Sequence, residues 1–570
     1  MKERILALNN SITQPGSNPV PFAGTFHSFC VRTLRMDGDK LGIPRDFVIY
    51  NEADRKDVIK DILDEIKLSS DSYHPAAIIA AISDSKNNML TPLKYGEFVQ
   101  GEKQEKIFTV YTEYEKRLKE AGALDFDDLL LKAVELFDKE PSVLSRWQQK
   151  LSHILVDEWQ DTNKVQYRLT KLLIGGSGNL TAVGDASQSI YSWRGADFRN
   201  INYLKSDYPD ITIVNLDQNY RSTEVILETA NAVIQKNTSH PVLSLWTKNG
   251  RGERVKLYKA TNGLEEARYV VGKIAELTGF GYNHRDFAVL YRTNAQSRVL
   301  EEAMLHTGIP YVLVGGTRFY DRVEVKDVLA YMRLLVNPRD AVSKKRALKI
   351  GKGRYEKFLN LRDQLSSKPL RHSALDAESI QMDSGSEAGI TTLELMNTVL
   401  QKTAYQEKYA RETEENLSRL ENIKELRSVA SEFPNLNEFL ENVALVEASE
   451  NRPINSNSDN AVALMTLHAA KGLEFPIVFI VGMEEGLFPH SRSLWDTSEL
   501  EEERRLAYVG ITRAKELLYL TYADRRLYFG QRSANPPSRF LIDIPENLLD
   551  TSENLHEKKV EYNFEDDIDW

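Results

Sequence analysis

The sequence predicts an α/β protein with two groups of parallel strands, each interrupted by a mainly helical segment. Short, unbroken apolar runs recur along the chain, and such runs are typical of strands that are covered on both faces, as in parallel sheets. Helical periodicity replaces them over residues 50–140 and 322–450, which carry almost no strand signal. The strand-like runs, in chain order, are ILVD at 154–157, LTAVGD at 180–185, ITIVNL at 211–216, FAVLY at 287–291, YVLVGG at 311–316, IVFIVG at 477–482 and LLYLTYA at 517–523.

The composition limits the class of protein. A chain of 570 residues is too long for one core, and it predicts about three to five domains. Hydrophobic residues make up 41% of the chain and charged residues 28%, which excludes disorder as a description of the whole chain. Because the net charge is −11, any nucleic acid has to be bound by local basic and aromatic side chains.

The single cysteine, Cys30, excludes an intramolecular disulfide and favours a reducing compartment. No apolar run reaches the length of a membrane span, and the opening residues MKERILALNN do not resemble a signal peptide. The sequence therefore predicts a cytoplasmic protein without a membrane partner.

The helical segments contain one cap signal and one break in their pattern. Asp125 is predicted to cap the helix that begins DFDDLLLKAVELF. Residues 370–390 are rich in Ser, Asp, Gly and Glu and are predicted to be disordered, with an ordinary helical turn as the alternative. The acidic tail, residues 551–570, is predicted to be mobile; a short partner-binding motif around Phe564 and Trp570 is the alternative.

The run ILVD leads directly into two carboxylates, Asp157 and Glu158. Open α/β sheets place ligand chemistry at the carboxyl ends of their strands. There an Asp can hold Mg²⁺ through its hydration shell, and an adjacent Glu can orient or deprotonate an attacking water. For these two residues taken alone, a solvated strand end is the alternative.

The run LTAVGD is followed by a polar loop that contains Gln188, Tyr191, Trp193 and Arg194. The neutral amide of Gln188 can hydrogen-bond a terminal phosphate or the attacking water. A Trp beside an Arg can stack on unpaired bases, although a lone loop Trp is more often a packing anchor. This second strand end favours the functional interpretation of Asp157 and Glu158.

Five long motifs, in a fixed order, resemble the helicase motifs of UvrD/PcrA/Rep-type superfamily 1 DNA helicases. The shorter segments GTFHSFC at 24–30, RTNAQSR at 292–298 and NPPSRFL at 535–541 extend the resemblance over nearly the whole chain. The five motifs are DEWQDTN at 157–163, VGDASQSIYSWRGAD at 183–197, LDQNYRS at 216–222, TLHAAKGLEF at 466–475 and EEERRLAYVGITRAK at 501–515.

The resemblance implies that the chain uses ATP and Mg²⁺. Tyr220 is expected to stack on adenine, and Glu474 to contact the nucleotide from the second domain. Two arginines are expected to reach the γ-phosphate, because a planar guanidinium binds phosphate oxygens bidentately. The expected catalytic residues are Asp157, Glu158, Gln188, Arg221 and Arg513; the expected nucleotide-binding residues are Tyr220, Arg221, Glu474 and Arg513; the expected Mg²⁺ ligand is Asp157, with Glu158 nearby.

The resemblance also implies a channel for single-stranded DNA. Base stacking there would give a grip that does not depend on sequence. Each residue has a structural alternative: the two histidines as ordinary structural histidines, and Asn294 as a helix cap. The expected DNA-binding residues are His27, Tyr191, Trp193, Arg194, Asn294 and His468.

By resemblance the architecture is two RecA-like domains of the P-loop NTPase type, each interrupted by a mainly helical insertion domain. The coarse pattern of strands and helices agrees with it. The expected domains are the first RecA-like domain (1–49 and 124–220), its helical insertion (50–123), the second RecA-like domain (221–320 and 453–550), its helical insertion (321–452) and the acidic tail (551–570).

One motif of the family, the phosphate loop G-x-x-x-x-G-K-[ST], has no counterpart. GGSGN at 175–179 lacks the Lys, and GKG at 351–353 lies in the second helical segment without a preceding strand. MKERI resembles the segment after the family's first DNA-contacting motif, so the chain is expected to be truncated before it and to turn over ATP very weakly by itself. An exposed sheet edge, apolar surface and low stability are expected in the first domain.

The expected function is that of an ATP-dependent 3'-5' DNA helicase, or single-stranded DNA translocase, of the UvrD/PcrA type in DNA repair or replication. The expected partners are single-stranded DNA and DNA junctions, with repair proteins or a separate N-terminal fragment as further candidates. Three alternatives stay open: a non-catalytic single-stranded DNA-binding remnant, one half of a split helicase, and a decaying remnant with no function.

Overall fold

The structure, a computed structural model, falls into two units, residues 1–212 and 213–570. It describes residue 5 and residues 21–69, 73–365, 390–410, 413–450, 460–528 and 531–552. The segment predicted to be disordered, residues 370–390, lies outside the described residues except for its last residue, and only the first two residues of the acidic tail are described. Among the described residues, no helix is long and apolar enough to cross a membrane.

Two pairs of short parallel strands form the described sheet structure of the first unit, where β1 pairs with β2 and β3 with β4. These strands are β1 (Val48–Tyr50), β2 (Ala123–Asp125), β3 (Ile154–Val156) and β4 (Leu180–Ala182). The helices of this unit are α1 (Phe26–Asp37), α2 (Glu52–Glu65), α3 (Pro75–Asn87), α4 (Pro92–Gly96), α5 (Glu102–Glu120), α6 (Phe126–Lys139), α7 (Pro141–Lys150), α8 (Lys164–Ile174) and α9 (Asn200–Asp207).

The predicted cap of α6 is confirmed. The Asp125 side chain accepts the backbone N–H of Asp128, and the Asp128 side chain accepts the backbone N–H of Asp125, so two donors at the start of the helix are satisfied. Both carboxylates are buried and also accept from the Lys86 ammonium of α3, at 3.0 and 2.7 Å. The cap therefore joins α6 to the helical part of the unit.

Apolar side chains in the first unit gather in two main clusters. One packs α1, α6, α7 and α8 together, with Phe29, Phe137 and Trp147 at its centre. The other lies between α2, α3 and α5 and contains Ile62 and Tyr114. The helices over residues 52–120 thus have a core of their own, as an inserted helical segment requires.

In the second unit, one sheet has the strand order β14-β7-β12-β11-β8-β10-β9, with every pair along this path parallel and β13 antiparallel to β12. A separate parallel pair joins β5 and β6. The strands of this unit are β5 (Gln218–Asn219), β6 (Trp246–Thr247), β7 (Val255–Asn262), β8 (Phe287–Tyr291), β9 (Tyr311–Leu313), β10 (Val462–Thr466), β11 (Phe475–Ile480), β12 (Ala514–Tyr528), β13 (Gln531–Ser533) and β14 (Leu549–Asp550).

Helices cover this sheet and also form a separate body in the chain between β9 and β10. That body has its own apolar core, centred on Tyr331, Phe358 and Tyr405. The helices of the second unit are α10 (Glu224–Ile234), α11 (Gly263–Gly279), α12 (Ser297–Thr307), α13 (Val323–Val336), α14 (Ala341–Ile350), α15 (Lys352–Leu365), α16 (Thr392–Lys402), α17 (Glu414–Glu432), α18 (Leu436–Glu450), α19 (Thr497–Ile511) and α20 (Arg539–Ile542).

The predicted α/β class with parallel sheets and helical segments is confirmed, but one predicted strand is wrong. The run ITIVNL at 211–216 is not a strand, and Ile213, Val214 and Leu216 are 58%, 73% and 72% exposed. An apolar run becomes a buried strand only where a neighbouring strand accepts its hydrogen bonds and helices cover it. No strand among the described residues pairs with this run.

Apolar surface is also exposed around β3 and β4, as expected for the first domain. Leu155 in β3 is 76% exposed, and Val183, directly after β4, is 46% exposed. Low stability of this domain and the five-part division into domains stay predictions.

Candidate functional site

Asp157 and Glu158 follow β3 directly, and both side chains are exposed. The backbone of Glu158 is left-handed, with φ 54° and ψ 46°, a conformation that non-glycine residues adopt rarely. The Glu158 N–H donates to Asp157 Oδ1 at 3.0 Å, and the Trp159 N–H donates to the carbonyl of Val183 at 2.8 Å. The surrounding hydrogen bonds therefore hold a turn that projects the Glu158 side chain away from the strand.

The side chain of Gln160 joins this turn to the end of β4. Its Nε2 donates to Glu158 Oε2 at 2.6 Å, and its Oε1 accepts the Asp185 N–H at 3.0 Å. Asp185 in turn accepts the Gln188 amide, with Nε2 2.8 Å from Oδ2. Parallel pairing of β3 with β4 brings these polar groups to one edge of the sheet, so the predicted pair and the predicted Gln188 belong to one hydrogen-bonded group.

The donor set at this edge fits Mg²⁺. Mg²⁺ takes oxygen ligands and is commonly held by one or two carboxylates, with waters and substrate phosphates completing its shell. The exposed carboxylates of Asp157 and Glu158 are ligands of this type. Among the described residues, no group of three or more His, Cys, Asp or Glu side chains with metal-binding geometry occurs.

The loop after Gln188 carries an aromatic pair. The rings of Tyr191 and Trp193 meet edge to face, with centroids 6.4 Å apart. Trp193 is half exposed, which leaves part of its indole surface accessible for stacking on a base. Arg194 follows Trp193 directly, and its backbone belongs to the single turn Ser192–Arg194.

His27 lies in the first turn of α1. Its ring meets Phe126 edge to face at 5.9 Å. Burial lowers the pKa of His27, and the nearby carboxylate of Asp127 opposes this shift in part. The neutral imidazole is therefore favoured at neutral pH, which suits hydrogen bonding and stacking better than phosphate neutralisation.

In the second unit, Tyr220 and Arg221 follow β5. The Tyr220 ring is 78% exposed, and its hydroxyl donates to Gln218 Oε1 at 3.1 Å. The Arg221 Nε donates to Glu474 Oε2 at 2.7 Å, and Lys515 lies 2.8 Å from the other oxygen of Glu474. Hydrogen bonds from these two cations hold the pKa of Glu474 at about 2. Glu474 is thus ionised and pairs with both cations, one of which, Arg221, directly follows the exposed Tyr220.

Arg513 joins this group through Thr512. Arg221 Nη1 donates to the Thr512 carbonyl at 3.2 Å, and Arg513 Nη2 donates to the Thr512 hydroxyl at 3.0 Å. The Arg513 guanidinium is buried and also donates to the carbonyls of Val509 and Leu473. In this conformation Arg221 is the more accessible of the two arginines, and Arg513 also holds the end of α19.

Asn294 and His468 follow β8 and β10, which are neighbours in the sheet, so they lie at the same edge. Asn294 is not the helix cap that was the alternative, because the cap position is Thr293, whose N–H donates to Gln296 Oε1 at 2.9 Å. The Asn294 amide lies 3.5 Å from the Ser418 hydroxyl of α17. Asn294 thus lies between the sheet and the helical body.

Four residues that sequence reasoning missed belong to these groups. Gln160 and Asp185 lie inside two of the motifs, and this position could have marked them as candidate site residues. Only the pairing of β3 with β4 shows that they join the two strand ends. Lys515 closes the same motif as Arg513 and could have been found from that neighbour. Arg322 gave no sequence signal, because its four hydrogen-bond acceptors come from three segments of the chain: Asn294 and Ser297, Thr317, and Asn422.

The structure brings the predicted site residues of each unit into local groups, and their individual roles stay predictions. The first unit holds Asp157, Glu158 and Gln188 in one group, Tyr191, Trp193 and Arg194 in the loop that follows, and His27 on α1. The second unit holds Tyr220, Arg221, Glu474 and Arg513 in one group and Asn294 and His468 at one sheet edge.

Comparison with known proteins gives two family matches. Residues 1–209 match the UvrD/REP helicase N-terminal domain, and residues 214–525 match the UvrD-like helicase C-terminal domain. The ATP-dependent DNA helicase PcrA of Bacillus subtilis (strain 168) is 43% identical over an alignment that covers 98% of this chain and 79% of that protein. Two further proteins with the same name are similar, from Staphylococcus aureus (strain Mu50), with 42% identity covering 96% of this chain and 78% of that protein, and from Staphylococcus epidermidis, with 43% identity covering 93% and 77%.

Proposed function

Since the chain belongs to the UvrD/REP helicase family, we propose that it is an ATP-dependent DNA helicase that moves along single-stranded DNA in the 3'-5' direction. Its similar relatives are named ATP-dependent DNA helicases. The observation that carries the proposal is the loop after β4. Within it, Gln188 is bonded into the carboxylate group at the strand ends, and Trp193, five residues later, presents a half-exposed ring.

For the nucleotide, the proposal assigns adenine stacking to Tyr220 and phosphate contacts to Arg221 and Arg513. The exposed Tyr220 ring supports the first assignment. Arg221 supports the second, since its guanidinium is only partly buried and its counter-ion, Glu474, is itself exposed. Glu474 is proposed to contact the nucleotide once the phosphates compete for Arg221.

For hydrolysis, the proposal assigns the attacking water to Glu158 and the terminal phosphate to Gln188. Asp157 would hold Mg²⁺, which supplies charge stabilisation to the phosphates when bound. The turn that projects Glu158 and the hydrogen bond that holds Gln188 beside Asp185 support these roles.

We also propose that this 570-residue chain, assayed by itself, hydrolyses ATP slowly. Its sequence contains no G-x-x-x-x-G-K-[ST] loop, and that loop supplies the amides and the Lys that hold phosphates in P-loop enzymes. Repair proteins, DNA junctions and a separate N-terminal fragment remain proposed partners. The proposed compartment is the cytoplasm, because the proposed substrate is DNA and Cys30 is a free thiol.

Single-stranded DNA binding tests the proposal. Fluorescence anisotropy with an oligo(dT) probe is expected to show binding that weakens steeply as salt rises, because phosphate contacts release counter-ions. Trp193→Ala should weaken binding by about 1 to 3 kcal/mol, or roughly 5- to 150-fold. Trp495→Ala is the matched control, since Trp495 is 94% exposed and lies in none of the motifs. Equal effects of the two substitutions would contradict the role of Trp193.

ATP turnover with and without the same oligonucleotide separates a helicase from a protein that only binds DNA. Turnover that DNA stimulates and that Arg221→Ala removes is the expected result. Arg221 is a better control than Arg513, because the buried Arg513 also holds backbone carbonyls and its loss can unfold the protein. Duplexes with a single 3' or a single 5' tail then test direction, and unwinding of only the 5'-tailed duplex would overturn the proposed polarity.

A further inference from the structure

We propose that Gln160 is a positioning residue that fixes the Glu158 carboxylate relative to the end of β4. The inference deepens the proposed function, on which it rests, because Glu158 is there the residue that orients the attacking water. Gln160 itself touches neither nucleotide nor water in this proposal. It acts through the two groups that it holds.

The geometry of the Gln160 amide carries the inference. The side chain is 1% exposed, and both of its polar atoms are used. Its nitrogen donates to Glu158 Oε2 at 2.6 Å, and its oxygen accepts the Asp185 N–H at 3.0 Å. A carboxylate requires a donor and a backbone N–H requires an acceptor, so only one of the two amide orientations satisfies both partners.

The bond to Gln160 restricts the Glu158 side chain. That side chain is exposed, and each hydrogen bond to an exposed glutamate reduces the number of rotamers that it adopts. Its left-handed backbone sets the direction in which the side chain leaves the chain, and the bond to Gln160 then fixes where the carboxylate ends. To position one attacking water, the carboxylate has to be held in one place and one orientation.

The residues directly after β4 lie close to the Gln160 side chain, and Gly184 permits this close approach. A Cβ added to Gly184 would lie 2.7 Å from Gln160 Oε1 and 3.2 Å from the Trp159 nitrogen. The first distance would force the Gln160 amide to shift, and the second is tighter than most contacts of a Cβ atom. Gly184 thus allows the Asp185 N–H to reach the buried amide.

The same amide links Glu158 to Gln188. Asp185 donates its N–H to Gln160 and accepts the Gln188 amide on its carboxylate, 2.8 Å away. The Ser189 hydroxyl also donates to the backbone carbonyl of Gln160 at 3.3 Å. The group proposed to face the water and the group proposed to face the phosphate are therefore held by one continuous chain of hydrogen bonds.

Two substitutions at Gln160 separate the effects of its two side-chain hydrogen bonds. Gln160→Glu keeps an oxygen for the Asp185 N–H but sets a second carboxylate against Glu158. Gln160→Met has a similar size and loses both bonds. Gln148, in the same unit, donates to the Leu172 carbonyl at 2.8 Å, so Gln148→Met is the control for loss of one partly buried glutamine hydrogen bond elsewhere.

Residue-resolved hydrogen exchange tests the bond to Asp185 in the whole chain, without nucleotide. Exchange of the Asp185 amide should accelerate about 2- to 12-fold in Gln160→Met, which is the range that loss of one hydrogen bond predicts. It should stay unchanged in Gln160→Glu and in Gln148→Met. Equal exchange of this amide in Gln160→Met and the parent protein would overturn the inference.

Carbodiimide labelling of Glu158 at one fixed pH, followed by mass spectrometry, tests the bond to the carboxylate. Gln160→Met removes the Nε2 donor that lies 2.6 Å from Glu158 Oε2, so the carboxylate should be labelled about 2- to 12-fold faster than in the parent protein. In Gln148→Met the labelling rate should not change. An unchanged rate in Gln160→Met would show that the bond does not hold the carboxylate and would also overturn the inference.

These results separate the inference from the proposed function. If the oligo(dT) probe does not bind the parent protein, the proposed function fails, and the exchange and labelling results still decide whether Gln160 positions Glu158. If DNA-stimulated turnover is present, Gln160→Met should lower kcat about tenfold or more with little change in KM for ATP, because it disturbs orientation and not binding. A lower melting temperature with an unchanged kcat would mean that Gln160 is only structural.

Discussion

The Arg221 guanidinium and the Glu474 carboxylate form an ion pair, with Nε 2.7 Å from Oε2, although 253 residues separate them in the chain. Lys515 pairs with the other oxygen of the same carboxylate. One acidic side chain thus balances two cations at the place proposed for nucleotide phosphates. Its removal should affect both charge and stability there.

For Glu474→Gln we expect a small, pH-dependent loss of stability. Hydrogen bonds from Lys515 and Arg221 lower the pKa of Glu474 from 4.5 to about 2 in the folded protein, so its contribution is present above pH 4.5 and is lost as the pH falls towards 2. Because the group is exposed, the loss at pH 7 should stay below about 1 kcal/mol. Thermal melts at pH 7 and pH 4 measure it, and the effect should vanish in an Arg221→Gln, Lys515→Gln background.

Lys86→Met should strongly destabilise the first unit. The Lys86 ammonium is fully buried and lies within 3.0 Å of Asp125, Asp128 and Glu115. Its loss removes the cation beside Asp128 and leaves Asp125 with Arg55 alone, at a cost of about 3 to 5 kcal/mol. Lys60→Met is the control, since the exposed pair of Lys60 with Asp57 is worth at most about 1 kcal/mol. Urea unfolding curves compare them, and equal midpoints would contradict the buried network.

Arg322→Lys should destabilise the second unit and displace Asn294. The buried Arg322 guanidinium donates to the Asn294 carbonyl, the Ser297 hydroxyl and Asn422 Oδ1 at 2.7 to 3.0 Å. A lysine ammonium cannot reproduce this fork, so we expect a loss of about 2 to 4 kcal/mol. Arg251→Lys, at an exposed pair with Glu224, should cost less than about 1 kcal/mol. A similar small effect at position 322 would mean that lysine satisfies the same acceptors.

The sequence predicts some strands of this protein correctly, but it does not predict which side chains contact each other at the site. FAVLY is a strand over all five predicted residues, because it lies between two other parallel strands whose backbones pair with it. ITIVNL has the same apolar character and is not a strand, since strand formation depends on partners that a local pattern does not contain. Gln160 shows the same limit at the site: its residue type was visible in the motif, but its role depends on Asp185, which is 25 residues away.

The Cys30 thiol should react slowly with alkylating reagents in the folded protein. It is fully buried, and burial raises its pKa from 9.0 to about 12. The reactive thiolate is therefore scarce at pH 8, and the reagent has no direct access. Since the folded pKa is raised, stability should be unaffected below pH 9 and fall as the pH rises towards 12. Iodoacetamide labelling in buffer and in urea measures the difference, and equal rates would place Cys30 at an accessible site.

His27 should titrate below the usual range for histidine. Burial lowers its pKa from 6.5, and the Asp127 carboxylate opposes the shift, so Asp127→Asn should lower the pKa further. The stabilising effect of the neutral ring is complete above pH 6.5 and is lost as the pH falls through the lowered value. Proton NMR of the imidazole signal, assigned with His27→Gln, measures both midpoints, with Asp39→Asn as a control at an exposed carboxylate.

If His27 contributes to DNA binding, its contribution should then be the same at pH 7 and pH 8; a contribution that grows as the pH falls from 8 to 7 would mean that His27 binds DNA as a cation.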